Sequence, residues 1–225
     1  MEIKPIAFIK NRYTDKFGIP RQPDKVSNIS EIVFEPEYRN EDALREIEGF
    51  SHLWLIFDFS LSHRDEFVPV VRPPRLGGNK KVGVFASRSP YRPNSLGLSV
   101  VRLSGIEKTA DRGTVLRVTG ADLLNGTPIY DIKPYIPYCD SVPDAKEGYT
   151  ATNTDYRLKV EFCCDVSGLS DDFIKEIEEI LSEDPRPQYK KGDEKVYRMH
   201  YGDLDISFKV EGNTAKVIKT DEYKE

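Results

Sequence analysis

Through the first two-thirds of the chain, short runs of strand-forming residues follow one another, separated by Gly, Pro and Asn clusters and by no regular helix. The runs are Ile3 to Ile9, Leu53 to Phe59, Val82 to Phe85, Ser99 to Leu103 and Thr114 to Thr119. Parallel strands need a crossover between them, usually a helix, so this texture argues against a doubly wound α/β sheet and predicts an all-β sandwich or barrel. One helix is expected to interrupt it. Asn40 can cap, Glu41 and Asp42 suit the positive first turn, Leu44 and Ile47 share a face, and Gly49 can supply a left-handed stop.

The texture changes after Tyr138. Asp140 to Thr154 is rich in Pro, Gly, Asp, Asn and Thr, which suits a linker and places a boundary between residues 1–140 and 141–225. Beyond it, Arg157 to Phe162 reads as a strand, and Ser170 caps a helix whose Phe173, Ile174, Ile177, Ile180 and Leu181 form one apolar stripe. Lys195 to Tyr201 and Leu204 to Val210 flank Gly202-Asp203 as a two-residue hairpin would, and Thr214 to Lys219 supplies a third strand. The second part is therefore a small α+β unit.

At 225 residues, 38% hydrophobic and 32% charged, the chain fits a soluble globular protein. No apolar run approaches the roughly 20 residues that span a bilayer. Met1 to Lys10 does not read as a signal peptide, so the expected location is the cytoplasm. The odd set Cys139, Cys163 and Cys164 argues against a disulfide framework and is expected to be buried thiols. With three histidines and no C-x-x-C or H-E-x-x-H spacing, no metal is expected. The net charge of −5 conceals segregation. Arg64, Arg72, Arg75, Lys80, Lys81, Arg88 and Arg92 face only Asp65 and Glu66 in one block, a candidate anion surface. Acid gathers in Glu31 to Glu48 and Asp171 to Asp184, both read as solvated helix faces.

The chemistry concentrates in Pro- and Gly-stiffened loops. Gly77 to Ser99, GGNKKVGVFASRSPYRPNSLGLS, can hold Arg88, Arg92 and backbone N–H groups against a phosphate or carboxylate with little ordering cost; alternatively its arginines bond carbonyls and brace the loop. In Gly120 to Tyr135, Asn125-Gly126 makes a turn and the chain returns as a strand with Asp131 and Lys133 on one side, either a salt bridge or a pocket wall. Gly18-Ile19-Pro20-Arg21-Gln22-Pro23 suits a carboxylate and a nucleobase edge. His63-Arg64 ends an apolar strand, where a histidine can be structural or can orient a ligand. Asp184-Pro185-Arg186-Pro187-Gln188-Tyr189 is either a helix stop or a base-stacking and phosphate contact. Dinucleotide, P-loop and hydrolase signatures are absent. The residues alone thus indicate a β-rich protein with rigid arginine loops for an anionic or nucleotide-like ligand.

The blocks GVFASRSPYRPNSLGLS and DLLNGTPIYDIKPYIPYCD resemble the signature words of the TrmO (YaeB, TsaA-like) family, with Ser87 where the family often has Thr and Asn125 where it often has Asp. The likeness extends to Pro20-Arg21-Gln22, to Gly49 through Trp54 and to Asp184 through Pro187. It implies a mainly β protein: an N-terminal antiparallel β-barrel, not a Rossmann fold, that binds S-adenosylmethionine, and a small α+β C-terminal domain, for which tRNA contact is one open role. It implies a homodimer with cofactor near the subunit interface. It also implies transfer of a methyl group to N6 of threonylcarbamoyladenosine beside the anticodon of tRNA. Cofactor contacts are then expected at Pro20, Arg21, Gln22, His63, Arg64, Arg88, Leu98 and Leu123, Leu124, Asn125 and Gly126. Substrate contacts are expected at Arg92, Asn94, Lys133, Arg186 and Tyr189, with Asp131 or His63 assisting proton loss. A noncatalytic RNA-binding module and a methyltransferase for a small molecule are the alternatives.

Overall fold

A computed structural model describes residues 2–73, 80–151, 156–186 and 195–223. Arg75, Gly77 to Asn79 and Tyr189 lie outside the described residues. The chain is mainly β. Its first part contains β1 (Ala7–Lys10), β2 (Ile29–Phe34), β3 (His52–Asp58), the short pair β4 (Val70–Val71) and β5 (Val82–Gly83), β6 (Leu96–Thr109), β7 (Gly113–Thr119) and β8 (Pro128–Pro134), followed by the one-turn α1 (Pro137–Asp140). Six of these strands pair antiparallel in the order β1, β2, β7, β6, β3, β8, and β8 pairs back onto β1, so the sheet closes on itself.

Period-two alternation explains the closure. In β3, Leu53, Leu55 and Phe57 point inward and are buried, meeting Ala7, Ile9, Ile32, Leu116 and Ile129 from the other strands. Gly97 on β6 faces Phe57, whose ring occupies the space a Cβ would need: the nearest ring carbon lies 2.2 Å from that position. A register shift between Leu103 and Gly105 lets the 14-residue β6 bend around the closed sheet.

Several expectations are corrected here. The Asn40 to Gly49 segment is two 3-10 turns, Glu41–Leu44 and Ile47–Gly49, because Glu46 between them takes a left-handed conformation at φ 68°; Asn40 does cap the first, accepting from the Asp42 N–H. Glu31 belongs to no helix face, since it lies on β2, whose Ser30, Ile32 and Phe34 point inward. Val82 to Phe85 is only a two-residue strand, and a 3-10 turn follows at Val84–Ala86. Cys139 and Cys163 are exposed and only Cys164 packs against a core.

The second part contains β9 (Lys159–Phe162), α2 (Asp171–Ser182), β10 (Tyr197–Tyr201), β11 (Leu204–Glu211) and β12 (Thr214–Glu222). They form a sheet in the order β10, β11, β12, β9, with β9 parallel to β12 and Gly202-Asp203 as the hairpin turn. Ser170 caps α2 by accepting from the Phe173 N–H at 3.3 Å. Ile177, Ile180 and Leu181 pack on Met199, Tyr201, Ile206 and Phe208. This second core also takes Tyr13 and Val26, with Phe17 and Ile19 against it, so residues 13–26 belong to it although they precede most of the closed sheet in sequence. Glu176 is buried beside it, accepting from the Tyr201 hydroxyl at 2.8 Å and pairing with Arg12 at 2.6 Å. No helix of the described residues is long and apolar enough to cross a membrane.

Candidate functional site

The loops singled out in sequence meet at one end of the closed sheet, where β3 ends, β6 begins and β7 hands over to β8. The turn Leu123 to Gly126 is held from below by the end of β1. Asn11 donates its amide to the Leu123 carbonyl at 2.9 Å, the Asn125 N–H reaches the Tyr13 carbonyl at 2.7 Å, and the Gly126 N–H reaches Ile9 at 2.8 Å. Gly126 takes φ +79°, which its lack of a Cβ permits.

Arg88 donates to the Gln22 side-chain oxygen at 2.5 Å, Gln22 donates its amide to the Arg21 carbonyl at 2.5 Å, and Arg21 donates to the Arg186 carbonyl at 2.9 Å. The arginine loop, the Pro-bounded loop and the segment after α2 are thereby joined in one run of hydrogen bonds, with Pro20 buried within it. Beneath Arg88, the half-buried Asp122 accepts from the Ser99 hydroxyl at 2.6 Å. Burial raises its carboxyl to about 6, against the lowering effect of the Ser99 bond, its own backbone N–H and the Arg88 charge.

On the other side, His63 Nε2 lies 2.7 Å from Asp58, whose carboxylate is buried while the imidazole is exposed. Arg64 stacks its guanidinium over the Tyr91 ring at 3.6 Å. Leu98 projects from β6 with 55% of its surface exposed, and Phe67 and Phe85, both exposed, stack at 6.2 Å.

Other expected site residues are placed differently. Arg92 donates to the carbonyls of Val84 at 3.1 Å and Ser87 at 2.7 Å, which fits the reading in which it braces the loop. Asp131 and Lys133 form an ion pair at 2.9 Å, and Asp131 also accepts from the Ile132 N–H, which fits the salt-bridge reading. Arg186 is 3% exposed and holds both oxygens of Asp184, at 2.8 and 3.0 Å, so its guanidinium is internal structure and not a surface tRNA contact. Asn94 is exposed at the loop end. Asp58 and Asp122 went unnoticed in sequence: the first ends an apolar strand five residues before His63, and the second opens the DLLNGTP word. Among the described residues no cluster of His, Cys, Asp and Glu is disposed to hold a metal ion.

The closed antiparallel sheet, which is no Rossmann fold, gathers arginine, amide and carboxylate groups at one end. The model of the tRNA-methyltransferase O N-terminal domain matches residues 8–141, and that of the TrmO C-terminal domain matches residues 157–222. The chain belongs to the TrmO family. It is 38% identical over 219 residues to the tRNA (adenine(37)-N6)-methyltransferase of Escherichia coli K12, covering 93% of each chain. It is 39% identical over 215 residues to a putative S-adenosylmethionine-dependent methyltransferase, RcsF, of Pseudomonas aeruginosa, covering 91% of this chain and 90% of the relative. The crystal structure of TrmO from P. aeruginosa superimposes with a TM-score of 0.79 at 31% identity, over 99% of this chain and 97% of that one.

Proposed function

We propose that this chain is an S-adenosylmethionine-dependent tRNA methyltransferase acting on N6 of adenine 37, and that its substrate nucleoside carries a threonylcarbamoyl group on that nitrogen. The observation that carries this reading is the convergence of three rigid loops, joined through Arg88 and Gln22, on the half-buried Asp122. Family membership and the full-length likeness to a tRNA (adenine(37)-N6)-methyltransferase support it.

The donor set fits S-adenosylmethionine. Arg88 and Arg21 supply cationic donors for the cofactor's carboxylate, the Leu123 to Gly126 turn and Gln22 supply amide groups for a base edge, and Leu98 with Pro20 supplies apolar surface. His63 and Arg64 complete the proposed cofactor contacts. When bound, the cofactor supplies a methyl group already activated by its sulfonium. The residues of this chain therefore work chiefly by alignment: the prolines and the braces from Arg92 to Val84 and Ser87 fix the loop before ligand arrives.

The closed sheet within residues 1–140 is on this reading the cofactor-binding barrel, and residues 141–225, completed by residues 13–26, are a second domain that helps receive tRNA. The exposed Phe67, Phe85 and Leu98 are proposed as part of a homodimer interface, since apolar side chains on a charged loop gain most when covered. The cytoplasm, where tRNA resides, is the proposed location.

The test is methyl transfer from labelled S-adenosylmethionine to tRNA with and without its threonylcarbamoyl group. Incorporation that requires the modification supports the full reading. Binding of tRNA without transfer favours a noncatalytic RNA-binding module, and cofactor binding with unlabelled tRNA favours a small-molecule methyltransferase.

A further inference from the structure

We propose that Asp122 is the catalytic base that takes the proton from N6 of the substrate as that nitrogen attacks the methyl group. The assignment rests on the methyltransferase reading above. Its grounds are geometric. Asp122 sits at the end of the closed sheet between the β6 side chain that bonds it, Ser99, and the loop cation that faces it, Arg88. Yet Arg88 makes its hydrogen bond to Gln22, not to Asp122, so the carboxylate feels a positive charge without a bidentate clamp. Tyr13 also faces it; its hydroxyl bonds Asn28 in the buried interior and is pushed upward in pKa by its own burial.

The other carboxylates near this end are committed. Asp58 is tied to His63 at 2.7 Å, and Asp131 to Lys133 and the Ile132 N–H. Asp122 alone among these three combines half-burial, a hydroxyl that fixes its orientation and a nearby cation that is engaged elsewhere. Its carboxyl, raised to about 6, is ionised at neutral pH while remaining a better proton acceptor than an ordinary aspartate. In the step, the N6 lone pair forms the bond to the methyl carbon, the carbon–sulfur bond breaks with its electron pair going to sulfur, and the N6 proton passes to an Asp122 oxygen. Ser99 keeps the carboxylate oriented throughout.

The experiment is single-turnover methyl transfer to threonylcarbamoylated tRNA across pH 5 to 9, with cofactor affinity by calorimetry and folding checked by circular dichroism, for wild type, Asp122→Asn and Ser99→Ala. A general base contributes roughly 10²- to 10⁴-fold, so Asp122→Asn is expected to slow transfer by about that factor while cofactor affinity changes little. The acid limb of the wild-type profile, centred near pH 6, is expected to vanish in Asp122→Asn and to move to higher pH in Ser99→Ala, which removes a bond favouring the charged form. Asp122→Asn that transfers at the wild-type rate, or that loses only cofactor affinity, overturns the assignment. So does a Ser99→Ala limb that stays in place, and this variant keeps the test alive should the Asn variant fold poorly. A wild type that transfers no methyl group at all overturns the functional reading, and the assignment with it.

Discussion

Arg88 and Gln22 lie sixty-six positions apart in sequence and meet through a 2.5 Å hydrogen bond that ties the arginine loop to the Pro-bounded loop. A hydrogen bond to a charged group contributes about 1.5–3 kcal/mol, and here it sets the position of two proposed cofactor ligands at once. Arg88→Ala is expected to weaken S-adenosylmethionine binding by about tenfold or more, with Gln22→Ala showing a smaller loss in the same direction. Calorimetric titration of both variants checks this. Wild-type affinity in Arg88→Ala would remove Arg88 from the site.

Asp184 and Arg186 form a buried bidentate pair, 6% and 3% exposed, immediately after α2. Removing one partner strands the other charge in the interior. Asp184→Ala is therefore expected to lower stability by about 3–5 kcal/mol. Asp184 also sits at φ 50°, a conformation asparagine tolerates better than alanine, so Asp184→Asn should be the milder change. Urea unfolding of the two variants gives the comparison.

Gly97 gives its side-chain space to the Phe57 ring, with a Cβ position 2.2 Å from the nearest ring carbon. Gly97→Ala should cost about 1–3 kcal/mol by overpacking. Phe57→Leu in the same chain should recover part of that loss, because the intruding ring is gone. A double-mutant cycle on thermal midpoints reads the coupling, and strictly additive losses would contradict it.

The raised carboxyl of Asp122 has a cost that depends on pH. Its folded value, about 6, lies above the ordinary 3.8, so the native state binds the proton more tightly than the unfolded chain. The contribution is fully present below pH 3.8 and is lost as pH rises through about 6. Asp122→Asn, which cannot ionise, is expected to be more stable than wild type above pH 6, by on the order of 2 kcal/mol after allowing for solvent at a half-buried residue, with the gap closing toward pH 4. Denaturant midpoints at pH 4 and 7.5 test the sign.

Much of the fold is legible where one periodicity dominates. The stripe from Phe173 to Leu181, the Ser170 cap and the Gly202-Asp203 hairpin are as the sequence pattern predicts, because each is a local signal. β2 was hidden because Ser30 takes an inward position that an apolar residue would have advertised and Glu31 beside it reads as a charged face. The Asn40 segment carries sound capping chemistry, but a left-handed Glu46 is not written in composition. The site divides similarly. Pro20, Arg21, Gln22, Arg88 and the Leu123 to Gly126 turn stand out as stiff loops. For Arg92 the residues left two readings open, an anion contact or a brace to carbonyls, and for Arg186 they gave no sign of the pairing with Asp184, since both outcomes are decided by loop conformation.

The stretch from Arg12 to Asn28 works as a seam stitch. It enters the second core at Tyr13, reaches Arg186 through Arg21 and Arg88 through Gln22, and returns through Val26, while the Asp24 N–H bonds the Gly120 carbonyl and Ser27 bonds Glu179 of α2. Cutting the chain near residue 141 would therefore not part it into two finished pieces, for one would lose the plug of its interior and the other would carry that plug bare. The same thread runs from Glu179 of α2, through Ser27, to the loop whose Gln22 accepts from Arg88.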